Sequence, residues 1–92
     1  MATKPELDVL IDTQQETEEF KSIVVYNDDV NSFDWVIICF ESILGLSEQD
    51  ASECAFIIHT EGKCAVKSGS IEELKPLCLK LLNAKLNAKI ED

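Results

Sequence analysis

The sequence predicts a small α+β domain, and three observations predict it. Ile23-Val24-Val25-Tyr26 is a short run of β-branched and aromatic residues that breaks into Asn27-Asp28-Asp29, as a strand does when it enters a turn. The apolar spacing then becomes helical, with Phe33, Val36, Ile37, Phe40, Ile43 and Leu44 in one stretch and Ala51, Cys54, Ala55 and Ile58 in the next. A second strand-like stretch, Lys63-Cys64-Ala65-Val66-Lys67, precedes a third helical pattern of Leu74, Leu77, Cys78 and Leu81. Ninety-two residues suffice for one such domain with a modest core.

Each element has its own signals. Residues 1–20 carry six acids against one Lys, diluted by Pro5, Thr13, Gln14, Gln15 and Thr17, and read as a flexible acidic arm before a core of residues 21–92. Leu7, Leu10 and Ile11 at helical spacing leave a transient helix or a docking motif as the alternative for that arm. Ser32 is suited to cap the first helix, and Gly45 to end it in a left-handed conformation. Ser47-Glu48-Gln49-Asp50 opens the second helix with a cap and acids near its positive end, and Gly62 stops it. Ser68-Gly69 is expected to cut the second strand short. Ser70 can cap the third helix, where Pro76 either marks a late start or removes one hydrogen bond. The tandem Leu82-Asn83-Ala84-Lys85, Leu86-Asn87-Ala88-Lys89 fits continued helix or a strand equally well, so pattern leaves the C-terminus open.

Composition excludes several roles. Eight Lys, no Arg and eighteen acids give a formal charge of −10, whose field repels nucleic acid and anionic membrane surfaces. The missing Arg also removes the bidentate reader of phosphate. Cationic partners, a free α-ammonium among them, suit the charge. Cys39, Cys54, Cys64 and Cys78 form no C-x-x-C pair and each falls in an apolar pattern, so reduced core cysteines are expected rather than a zinc or redox site. No apolar run reaches the roughly 20 residues of a membrane span. The polar, acidic start has no signal-peptide pattern, so a cytoplasmic protein is expected.

Asn27-Asp28-Asp29 after a short apolar strand, followed by two helices and by His59-Thr60-Glu61-Gly62-Lys63, resembles the ClpS adaptor family. The likeness is closest from Ser22 to Lys63 and extends by element order to Asp92. It implies that the C-terminus is a third strand, giving β-α-α-β-α-β: a small three-stranded antiparallel sheet with three helices packed on one face. It implies an adaptor that hands proteins bearing a destabilising bulky first residue (Leu, Phe, Tyr or Trp) to a Clp-family AAA+ unfoldase, ClpA- or ClpC-like. No enzymatic activity, cofactor or metal is implied, and a monomer is expected. The family's N-terminal extension, which engages the unfoldase, matches residues 1–20.

Recognising a free N-terminus needs acceptors in three directions for the α-ammonium, at least one of them anionic, and an apolar hole for the first side chain. Asn27 offers an amide oxygen, Asp28 and Asp29 carboxylates, and His59 a ring nitrogen; the resemblance carries over all four. Strand alternation would put Asn27 and Asp29 on one side, so these two and His59 are assigned to the amine, and Asp28 to the peptide backbone or the loop. Carried over from the family pattern, the hole is lined by Val25, Asn31, Phe33, Val36, Ala55, Ile58 and Leu86, and Lys75 is the one residue transferred to the unfoldase-docking surface. The chain departs from the family in having Asn31-Ser32-Phe33 where Thr-Pro-Met is usual, a small Ala55 where a bulkier residue is common, and a shorter segment after Gly62. A larger Phe33 opposite a smaller Ala55 conserves volume while changing shape.

Simpler readings compete residue by residue. Asn-Asp-Asp after a strand is commonly a turn and capping device, a lone His near a helix end commonly answers the helix dipole, and Phe33 alone reads as core packing. An enzyme using His59 as base with Cys64 or Asp28 lacks a third orienting group. A ribosomal-stalk-like interaction domain, similar in element order, would present a lysine-rich helix face, and no helix here has one.

Overall fold

The computed structural model describes residues 20–92, and the expected arm lies outside them except for Phe20. The element order is β1 (Phe20–Tyr26), α1 (Phe33–Leu44), α2 (Glu48–Glu61), β2 (Lys63–Ser70), α3 (Ile71–Asn83) and β3 (Asn87–Glu91). The sheet order is β2-β1-β3, with both neighbours antiparallel to β1. The apolar strand is therefore the central one. Along it Ile23 and Val25 are buried in the core with Phe40, Leu44, Ala51, Ile58, Leu74, Leu81, Leu86 and Ala88, which come from all three helices and from the approach to and length of β3. Every second β1 side chain faces the helices because a strand alternates.

On the outer side of the sheet charged side chains surround Tyr26. Tyr26 lies between the ammonium groups of Lys63 and Lys89, 5.8 and 5.4 Å from its ring centre, and its hydroxyl donates to Glu91. That bond holds the phenol proton and raises its pKa.

The helix ends follow side-chain chemistry. Ser32, Ser47 and Ser70 each accept from the backbone N–H three residues on, and Ser70 completes a reciprocal capping box with Glu73. Gly45 and Gly62 both take left-handed conformations at helix ends. Pro76 sits inside α3, which decides between the two readings: the helix does not start late but forgoes one bond to the carbonyl of Glu72, on a side open to water.

Two strand bounds differ from the sequence reading. β1 begins at Phe20, three residues before the apolar run, because Phe20, Lys21 and Ser22 find partners in Ser70, Gly69 and Ser68. By the same pairing β2 passes through Ser68-Gly69 instead of ending there. A register shift between Ile23 and Val24 leaves Val66 as an extra residue on β2, and the ladder continues beyond it. Gly69 carries no side chain where a Cβ would stand 2.5 Å from Glu73 Oε1, so it leaves room for the capping box of Ser70 and Glu73 rather than making a turn.

The C-terminal ambiguity resolves at Lys85, a non-glycine residue with φ of 76°. Its N–H donates to the Leu82 carbonyl and that of Leu86 to the Leu81 carbonyl, the paired bonds of a Schellman ending. The helix stops, Leu86 turns into the core, and β3 follows. Replacing Lys85 with Gly relieves left-handed strain and is expected to raise unfolding stability by about 0.5–1 kcal/mol. Urea denaturation measures it; a less stable variant would contradict the strain.

Candidate functional site

The site forms where β1 ends. Tyr26 pairs with Lys63, and one step further the N–H of Asn27 donates to the carbonyl of Gly62 at 2.9 Å. Gly62 is the left-handed cap of α2, so this bond sets the acidic turn against the last turn of α2, which carries His59. The expected alternation through Asn27, Asp28 and Asp29 does not occur, because the strand has already ended at Tyr26.

Asp28 organises the turn. Its Oδ1 accepts from the N–H groups of Val30 and Asn31 at 2.8 and 2.9 Å, and its Oδ2 accepts from Asn31 Nδ2 at 2.9 Å. Burial works to raise its pKa, but the bonds from Asn31 and Val30 outweigh burial and the net shift is downward. Asn31 Nδ2 also donates to the carbonyl of Lys85 at 2.8 Å, and Trp35 Nε1 donates to that of Ala84 at 3.1 Å. The start of α1 is thereby fastened to the turn that delivers Leu86.

These constraints enclose a cavity of about 450 Å³ lined by Asn27, Asp28, Asp29, Asn31, Ser32, Phe33, Val36, Ala55, Ile58 and His59. That volume is in the range of small-ligand sites. Its polar groups come from the acidic turn and the end of α2; its apolar wall comes from the facing sides of α1 and α2. Phe33, expected on the buried stripe of α1, is instead 44% exposed at the cavity. A void of about 20 Å³ adjoins it, lined by Val25, Tyr26, Asn27, Asp28, Asn31, Val36, Ile58 and Leu86. Every residue assigned from the sequence to amine or hole therefore lines the cavity or this void, Val25 and Leu86 only the void. Lys75 stands apart, in an apolar groove with Pro76, Cys78, Leu79, Leu82 and Ile90.

No cysteine lines the cavity. Burial, with the nearby Cys64, pushes the Cys54 thiol up to about 11, and burial raises Cys39 and Cys78. Cys64 packs against the core and is bonded to the Ala65 carbonyl, away from His59's cavity. Among the described residues no three His, Cys, Asp or Glu side chains gather as a metal site, and no helix is long and apolar enough to cross a membrane.

The family model described as "ATP-dependent Clp protease adaptor protein ClpS" matches residues 15–89. The chain belongs to the ClpS family. The ATP-dependent Clp protease adapter protein ClpS of Corynebacterium aurimucosum is 37% identical over 93 residues, covering 99% of this chain and 83% of that protein. Its counterpart in Corynebacterium jeikeium is 32% identical over 90 residues, covering 98% and 89%. Among solved structures, Agrobacterium tumefaciens ClpS2 bound to L-phenylalaninamide has a TM-score of 0.75, covering 79% of this chain and 95% of that one. At 14% identity that likeness is one of fold. ClpS proteins are adaptors of the Clp protease, so the family places this chain beside a proteolytic machine.

Sequence reasoning missed Ser32 in the cavity wall and Trp35 as a tie to the Ala84 carbonyl. Ser32 was legible only as a helix cap. Trp35 stands one residue off the apolar stripe, and a Trp there carries an N–H that needs an acceptor, which was the available signal.

Asp28 titrates below its ordinary value of 3.8 in the folded chain, so its contribution to stability is full above that value and fades as pH falls through the lower folded one. Asp28→Ala is expected to be less stable than the parent at pH 7, with the gap narrowing from about pH 4 downward. Urea midpoints across that range check it; a gap that does not change with pH would contradict the charged role.

Proposed function

We propose that this chain is an adaptor that captures proteins by a free N-terminal residue with a bulky hydrophobic side chain (Leu, Phe, Tyr or Trp) and delivers them to a Clp-family AAA+ unfoldase of the ClpA or ClpC kind. The observation that carries the reading is one cavity of about 450 Å³ with acceptors on one side and an apolar wall on the other. An α-ammonium brings three donors and a positive charge. The Asn27 amide oxygen, the Asp29 carboxylate and a His59 ring nitrogen supply acceptors, and Asp28 adds negative charge while its oxygens hold the turn. Phe33, Val36, Ala55 and Ile58 receive the side chain, with Val25 and Leu86 beneath. The net charge of −10 favours a cationic ligand at longer range.

The ligand named with Agrobacterium ClpS2 supports this reading. L-phenylalaninamide is a single residue with a free amine, a benzyl side chain and an amide where a following peptide bond would begin. In the proposed role residues 21–92 act as the adaptor core and residues 1–20 as the arm. Lys75 on α3 is the residue assigned to unfoldase contact. The adaptor works as a cytoplasmic monomer, and the role calls for binding and release only, with no cofactor.

Asp29→Ala is expected to weaken binding of a Leu- or Phe-initiated peptide about tenfold or more, as losing a charged hydrogen bond does. N-terminal acetylation of the peptide is expected to abolish binding, because the charge and two of the three donors disappear. Fluorescence anisotropy reads both. Equal affinity of the acetylated peptide would reduce the cavity to a plain hydrophobic groove.

A further inference from the structure

Asn31 lines the cavity, and its carboxamide is held in one orientation. Both of its amide hydrogens are used, one on Asp28 Oδ2 at 2.9 Å and one on the Lys85 carbonyl at 2.8 Å. Both partners are pure acceptors, so the opposite assignment of nitrogen and oxygen would set oxygen against oxygen. The side chain has no donor left to offer. Its Oδ1 is the remaining polar atom, and among the described residues no side-chain or backbone donor bonds to it.

The placement gives that oxygen a role. Asn31 lines both the main cavity and the void beneath it, together with Val36 and Ile58. It also touches the turn just before Leu86, which lines the void. An acceptor on a residue that lines both spaces, as Val36 and Ile58 also do, is available to a first side chain that fills them. An apolar side chain would cover it without a hydrogen bond, and burying an acceptor unpaired is costly. A side chain with a donor at its far end would satisfy it.

We infer that Asn31 Oδ1 is a specificity-determining acceptor that favours N-terminal residues carrying a donor on an aromatic side chain, the tyrosine hydroxyl or the tryptophan indole N–H, over phenylalanine and leucine. The inference rests on the proposed capture of N-terminal residues by this cavity. The rim acceptors read the amine in all four cases; Asn31 grades the side chains.

The test compares peptides identical except for the first residue: Tyr, Phe, O-methyl-Tyr, Trp and 1-methyl-Trp, measured by anisotropy on the unaltered full chain. Tyr is expected to bind about three- to tenfold more tightly than Phe, the range of one neutral hydrogen bond, and each methylated analogue more weakly than its parent. Asn31→Leu is expected to bring Tyr and Phe to within about twofold of each other. If that variant fails to fold, the methylated pairs on the unaltered chain still decide. Tyr and O-methyl-Tyr binding alike, and Trp and 1-methyl-Trp binding alike, overturns the role of Asn31 while leaving N-terminal capture standing. Failure of every peptide to bind overturns both.

Discussion

One backbone hydrogen bond fixes the geometry on which the site depends. The Asn27 N–H reaches the Gly62 carbonyl one step past the last pair of the β1–β2 ladder. A single such bond contributes only about 1 kcal/mol net. Its weight lies in position, because the ladder before it is already formed and supplies the alignment. Gly62 can take part because its φ of 97°, a left-handed conformation that glycine adopts without steric cost, turns the chain from α2 into β2. His59 and the acidic turn are distant in sequence, yet the pairing of β1 with β2 brings them to one rim.

A second set of contacts fixes the other wall. Asp28 uses both carboxylate oxygens on the turn, Asn31 spans Asp28 and Lys85, and Trp35 reaches Ala84. Two consecutive carbonyls exposed where α3 ends thus receive donors from the turn and from α1. The left-handed Lys85 helps present them and sends Leu86 inward. Strain at Lys85 is a local cost, whereas the Asp28 carboxylate, satisfied by three hydrogen bonds, stabilises the turn beside the cavity.

The elements were legible because their signals are local. Ser32, Ser47 and Ser70 declared the helix starts, and Gly45 and Gly62 declared two of the ends. Ser68-Gly69 misled because glycine in a strand can serve a close approach, here of Glu73, as well as a turn. The third strand was not legible from periodicity. Its decisive feature is a left-handed Lys, and lysine carries no sequence mark of that conformation. At the site, residue types pointed to an amine and an apolar hole, but alternation failed past Tyr26 because an Asp-built turn, not a strand, follows it. Phe33 faces the cavity because α1 starts there, where its first turn projects beyond the packed core.

The central claim is that this rim and this wall act together on one N-terminal residue. A crystal structure of the chain with a short Phe-initiated peptide tests it most directly. The account predicts the ammonium at hydrogen-bonding distance, about 3 Å, from acceptors of Asn27, Asp29 and His59, with the ring among Phe33, Val36, Ala55 and Ile58. A peptide lying in the α3 groove beside Lys75, or a ring in the cavity with its ammonium turned out to solvent, would contradict it.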